Sequence, residues 1–365
     1  MTGSAAPPRY TRSDHLVGLV AEVERLASLV GTADPAARRR VAAARADAAI
    51  HASLVLDGAS AAALPDLRTA EERLAARAPD GATRPAARAG GPGRGWLDTL
   101  RVLEDPADEE LRALEVVGVA RALATDAPAD APFVDLAEAL RELHGRLTRG
   151  LLDAERVGAP RTSDQAVHDG SVGRLLYATA APAAVPGEVA LLGGWLAAAG
   201  SREHALIVSG VVHLELLRIH PFDAANGRLA RAAARLLLRA RGLDPDGLAA
   251  PEPALARDPL GYHEEVARTL RRRDLTIWLE RWGEAVSDGL RTAARDLALL
   301  PDAVPDRAAR FVADRDDPAF TLADYRAQAP ALPEPARADL AALLDAGRIR
   351  RRPGSRGLRF ELVGD

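Results

Sequence analysis

The sequence predicts an all-α protein with one short β-hairpin, followed by a small α+β unit near its C-terminal end. Three observations carry this. The chain is 48% hydrophobic but only 4% aromatic, and it is rich in Ala and Leu, which favours helices over strands. Apolar residues recur at helical spacing, as in Leu206, Ile207, Val211, Leu214 and Leu217. The helical period lapses over 158–186, around Leu175-Leu176-Tyr177, and after Gly347 the residues alternate as strands do.

Taken in order, residues 1–12 are small, polar and Pro-containing, and read as disordered. Ser13 or Asp14 caps a helix to about Val30. Asp34 caps the next, with Pro35 at its first position, and Asp57-Gly58 ends it. A short helix follows over 69–77, then a Gly-, Pro- and Ala-rich linker over 86–94. Helices resume over 106–124, capped by Asp105, and over 133–149. The stretch 158–186 reads as a loop with a short extended hairpin. Helices over 189–198 and 202–219 lead to a tight connection, and another follows it to Arg241. A Pro- and Gly-rich connection covers 242–258, and helices return over 262–270 and 276–299. Residues 301–305 form a candidate hinge. Beyond it come helices over 321–328 and 334–346, then strands over 347–352 and 358–362 around Pro353-Gly354-Ser355. The 365 residues suffice for more than one domain. Three are expected: an N-terminal helical region over 1–100, a helical core over 101–300 and a small domain over 301–365.

Composition excludes several chemistries. There is no cysteine, so disulfides, thiol nucleophiles and thiolate metal sites are absent. All basic residues other than histidine are arginine, and the net charge of -4 argues against a chain-wide affinity for nucleic acid or membrane. The sequence shows no apolar run long enough to span a bilayer and no apolar core of a signal peptide. A cytoplasmic protein without a membrane partner is expected.

The tight connection is His220-Pro221-Phe222-Asp223-Ala224-Ala225-Asn226-Gly227-Arg228-Leu229-Ala230-Arg231. Pro221 ends the preceding helix near His220, and Asp223 or Asn226 is placed to cap the next. Arg228 and Arg231 then stand at a helix N-terminus, where the macrodipole is already positive. A bound anion would reverse that conflict, because backbone N–H groups and two guanidinium forks would converge on it. Gly227 admits a ligand close to the backbone. His220 is the nearby group that titrates near neutral pH. Singly, these residues also read as a turn, a cap and a solvated arginine stripe continued by Arg235 and Arg239.

As an ordered set they resemble the Fic signature, H-P-F-x-[DE]-G-N-G-R-x-x-R. His220, Pro221, Phe222, Asn226, Gly227, Arg228 and Arg231 match in register. Ala224 stands where the family has an acid, and Ala225 where it has glycine. The resemblance implies a Fic-like helical core whose hairpin is a flap that clamps a target segment by strand pairing. It implies transfer of AMP from ATP to a Ser, Thr or Tyr hydroxyl of a target protein, with ATP and Mg2+ as cofactors; the sequence leaves both a monomer and a homodimer open. His220 would be the general base, with a pKa near neutrality. The backbone from Ala225 to Leu229, including Gly227, and the Asn226 side chain would hold phosphate oxygens. Arg228 and Arg231 would neutralise the β- and γ-phosphates. The family's metal acid is missing at Ala224; Asp223, one residue early, would reach a metal only through a water, or else cap the helix. The alternative is a catalytically degenerate nucleotide-binding regulator.

Upstream, Ser53-Leu54-Val55-Leu56-Asp57-Gly58 resembles the family's inhibitory pattern [ST]-x-x-x-E-[GN], with Asp for Glu. The resemblance implies that Asp57 pairs with Arg231 and displaces the γ-phosphate. Asp57-Gly58 also reads as a plain helix end. The C-terminal order of helix, helix and arginine-rich hairpin resembles a winged helix-turn-helix, a module that binds DNA in some proteins and other proteins elsewhere, so DNA is one of two candidate partners of residues 305–365. Asp339 and Asp345 would oppose phosphates there.

Overall fold

The computed structural model describes residues 9–76, 106–125, 135–168, 173–198, 200–300, 306–315, 317–328, 333–351 and 359–363. The linker expected over 86–94, the Asp105 cap, the 301–305 hinge and the Pro353-Gly354-Ser355 turn lie outside them. Two compact units divide the chain, residues 1–293 and 294–365.

In the first unit, α1 (Asp14–Gly31) is capped by Ser13, whose Oγ accepts from the Leu16 N–H, and α2 (Pro35–Leu56) by Asp34. The α2 helix ends as the glycine predicts: Gly58 has φ 93°, and the Ala59 N–H returns to the Leu54 carbonyl at 3.0 Å. Next come α3 (Leu67–Ala76), α4 (Pro106–Leu123) and α5 (Leu136–Thr148). Strands β1 (Ala166–His168) and β2 (Leu175–Ala178) pair antiparallel as the expected hairpin. Helix α6 (Val185–Ala197) begins earlier than its period suggests. Pro186 sits in its first turn, where a missing N–H costs nothing. Then follow α7 (Ala205–Ile219), α8 (Asn226–Ala240), a single turn α9 (Glu252–Leu255), α10 (Pro259–Arg272) and α11 (Thr276–Asp296).

Helix α7 is the axis of the core. It is mostly apolar and buried along nearly its whole length, with Glu215 and Arg218 as its partly exposed exceptions, as a largely enclosed helix must be. It packs against α6 and α8, and Trp278 and Trp282 of α11 reach it too, donating to the Gly210 carbonyl and Ser209 Oγ. A Cβ at Gly210 would strike Leu279 and Trp282, so glycine is what lets α11 come this close. Helix α8 lies against α2, α4, α5 and α7. Its polar edge is thereby surrounded by the N-terminal helices. One stretch, Pro182–Arg202, does have the length and apolarity of a membrane span, contrary to expectation. Within it, Val185, Val189, Leu192 and Leu196 are buried.

The second unit holds α12 (Asp306–Ala313), β3 (Ala319–Thr321), α13 (Leu322–Gln328), α14 (Pro333–Asp345), β4 (Ile349–Arg351) and β5 (Arg359–Leu362). The strands form an antiparallel sheet in the order β3-β5-β4. Helix α12 and strand β3 were not legible in the sequence. Phe311, Phe320, Tyr325, Leu340, Leu343, Ile349 and Phe360 form the core. Asp339, expected to oppose phosphates, is 1% exposed and points into this unit's interior. It accepts from the Tyr325 hydroxyl at 2.6 Å and from Arg307 Nη2 at 2.8 Å.

Candidate active site

The loop between α7 and α8 is bounded by two strained residues. His220, at φ 54°, closes α7 by donating its N–H to the Leu216 carbonyl, and Ala225, at φ 59°, opens α8. Left-handed geometry disfavours any residue with a Cβ, so neighbouring contacts must hold both ends. Phe222 is buried and stacks on His144 at 4.1 Å. Its N–H donates to Asn226 Oδ1 at 3.0 Å, and Asn226 Nδ2 donates back to its carbonyl at 2.7 Å. Buried Arg161 donates to the carbonyls of Ser163, Ala180, Ile219 and His220 and to Thr179 Oγ1. It thereby ties the base of the hairpin to the end of α7.

Two expectations for this loop are corrected. Neither Asp223 nor Asn226 caps α8, whose first turn has no side-chain cap. Asn226 is engaged with Phe222. Asp223 is ion-paired to Arg156, with Nη2 3.1 Å from Oδ2. The absent cap leaves the first-turn N–H groups to an incoming anion.

His220 is half-buried. Its Nδ1 lies 3.2 Å from the Leu217 carbonyl. A carbonyl only accepts, so the proton sits on Nδ1 and Nε2 keeps its lone pair. The near-neutral pKa expected is not what the surroundings give. Burial pushes the imidazole down to about 4; the Leu217 carbonyl opposes this, and the Arg161 charge adds to it. At pH 7 the ring is neutral and ready to accept a proton.

The structure brings the upstream pattern onto the loop. Arg231 is 1% exposed on its side chain. Its Nε donates to Ser53 Oγ at 2.8 Å, and its Nη2 donates to the Ser53 carbonyl at 2.7 Å and to Asp57 Oδ1 at 2.6 Å. Asp57 Oδ2 lies 3.2 Å from Arg228 Nε. The carboxylate also sits over Gly227, where an added Cβ would strike Asp57 Oδ1. Burial raises the Asp57 carboxyl, but the charges of Arg231 and Arg228 outweigh it and hold the pKa below its usual value. Gly58 takes no part beyond ending α2. Arg228 Nε, buried and facing Asp57 Oδ2, makes no hydrogen bond to it, so an anion in place of the carboxylate would find that donor unspent.

This arrangement suits a polyphosphate: an uncapped helix N-terminus, a glycine and two arginines on which a carboxylate already sits, and a neutral imidazole upstream. It does not suit a directly held divalent cation. Ala224 offers no side-chain oxygen, Asp223 is taken by Arg156, and no group of three acidic or histidine side chains able to hold a metal occurs among the described residues. Four contributors escaped the sequence reading: Arg161, Arg156, Glu115, whose Oε1 lies 3.4 Å from Arg228 Nη1, and His263. His263 donates from Nε2 to the Leu56 carbonyl at 2.8 Å, pinning the end of α2 beside Asp57. In a chain whose basic residues other than histidine are all arginine, composition could not single out Arg161 or Arg156.

Residues 133–238 match the family model described as Fic/DOC family. No curated protein matches the chain. Among solved structures, it is similar to a Fic family protein from Desulfovibrio desulfuricans G20, with 20% identity, a TM-score of 0.58 and 99% of each chain covered. It is also similar to a variant fragment of Fic-1 from C. elegans, with 16% identity, a TM-score of 0.50, and 77% of this chain and 72% of that one covered. At such identities the likeness is one of fold.

Proposed function

We propose, for a chain that carries a Fic/DOC-family domain over residues 133–238, that it transfers AMP from ATP to a hydroxyl side chain of a target protein and is held inactive by Asp57. The family consists generally of transferases that use ATP and Mg2+. The observation that carries this reading is the Asp57 carboxylate seated on both arginines at an uncapped helix N-terminus. A carboxylate and a phosphate compete for the same guanidinium donors.

With Asp57 displaced, the first-turn N–H groups of α8, Gly227 and the Arg228 and Arg231 forks receive the phosphates. The target hydroxyl approaches His220 Nε2, which takes its proton as the oxygen attacks the α-phosphate. The new O–P bond forms, the bond to pyrophosphate breaks, and pyrophosphate leaves with the charge the arginines neutralise. No step is assigned to Mg2+, whose family ligand is replaced by Ala224.

The test is protein labelling from ATP carrying a radioactive α-phosphate. Asp57→Ala raises labelling above the unaltered chain, and His220→Ala in that background abolishes it. Equal labelling of all three variants sinks the mechanism.

A further inference from the structure

Helix α4 precedes the family-matched residues, yet it places a second carboxylate at the cradle. Glu115 Oε1 lies 3.4 Å from Arg228 Nη1, and Glu115 Oε2 lies 2.7 Å from Arg112 Nη1. The side chains of Arg112, Glu115 and Arg228 are 11%, 17% and 11% exposed, so water screens these pairs little. Asp57 and Glu115 touch Arg228 on different atoms. Asp57 faces Nε and covers Gly227; Glu115 is on Nη1, and the atoms nearest a Cβ at Gly227 belong to Asp57 and Arg231.

We infer that Glu115 is the positioning residue for Arg228, fixing the guanidinium so that its Nε edge faces the anion while Asp57 is the removable stand-in for that anion. This rests on reading the cradle as a nucleotide site. The geometry supports positioning over a second lock. Glu115 meets Arg228 at Nη1 and leaves the Nε edge to Asp57. An arginine anchored at one nitrogen loses less rotamer freedom when the other edge binds phosphate. Helix α4 also packs on α2, α5 and α8, so its carboxylate is carried by a braced element rather than by a helix terminus.

The experiment combines two readouts. Arginine Nε–Hε NMR, with the Arg228 signal assigned through Arg228→Lys, reports orientation. Calorimetric titration with ATP and with inorganic pyrophosphate reports binding. Glu115→Ala is expected to shift and broaden the Arg228 signal, and Glu115→Gln to do so less. In the Asp57→Ala background, Glu115→Ala weakens ATP binding about tenfold, the loss of one charge-assisted contact's worth of ordering. The same change has no effect once Arg228 is also alanine. An Arg228 signal unmoved by Glu115→Ala, or tighter ATP binding by Asp57→Ala/Glu115→Ala than by Asp57→Ala, overturns the positioning role. If the signal moves but neither ATP nor pyrophosphate binds any variant, Glu115 still positions Arg228 and the nucleotide reading is what falls.

Discussion

Arg231 is a charge that the fold cannot leave alone. It is 1% exposed, and Asp57 is its carboxylate partner. Removing one side of such a pair strands the other in low dielectric. Asp57→Ala should therefore destabilise the protein by about 3 kcal/mol, even while it opens the cradle. ATP or pyrophosphate should then raise the Tm of that variant more than that of the unaltered chain, because the ligand restores the missing anion. Thermal melts with and without ligand check this, and no difference in ligand response between the two proteins would count against an anion seat. The pairing of Asp57 with Arg231 was legible because both ends belong to recognisable local patterns. Glu115, Arg161 and Arg156 were not. Each acts through a contact far along the chain, Arg161 on His220 being 59 residues away, and no periodicity encodes such a partner. The near-neutral pKa expected of His220 failed for the same reason, since burial is a property of the assembled site.

Elements were easier to read than their connections. Caps and glycines set the ends of α1 and α2 through local hydrogen bonds, so Ser13, Asp34 and Gly58 announced them. The loop into α8 obeyed tertiary contacts instead: Asn226 turned back to Phe222 rather than capping. The hairpin β1–β2 is short and would be marginal by itself. Arg161 holds it, joining Ser163, Thr179 and Ala180 on the hairpin side to Ile219 and His220 on α7. Arg161→Met should leave several carbonyls unmatched and cost at least ~3 kcal/mol. Hydrogen exchange is expected to quicken at both 166–178 and 219–222 in that variant. Acceleration confined to one of the two segments would contradict Arg161 as the tie between them.

At the scale of the molecule, the buried histidines link stability to pH. Burial lowers the pKa of His144, His204, His213, His220 and His263, taking His144 and His220 to about 4 from 6.5. A lowered folded-state pKa means that the unfolded chain takes up protons first as pH falls below 6.5. Stability present above that value is then lost progressively down to about pH 4. Asp244 works in the opposite direction, since burial raises it to about 6, but it is one group against five. His144 alone, fully buried and stacked on Phe222, should remove about 2 kcal/mol between pH 7 and pH 5. Every tryptophan of the chain precedes residue 294, so tryptophan fluorescence during urea unfolding reports the first unit alone. The midpoint should be lower at pH 5 than at pH 7. His144→Phe keeps an aromatic ring against Phe222 but gives up the acceptor for the Gly158 N–H. It should start from a lower midpoint at pH 7 and lose less on acidification. A midpoint for the unaltered protein that stays constant or rises from pH 7 to pH 5 would mean that these imidazoles are not held neutral by their burial.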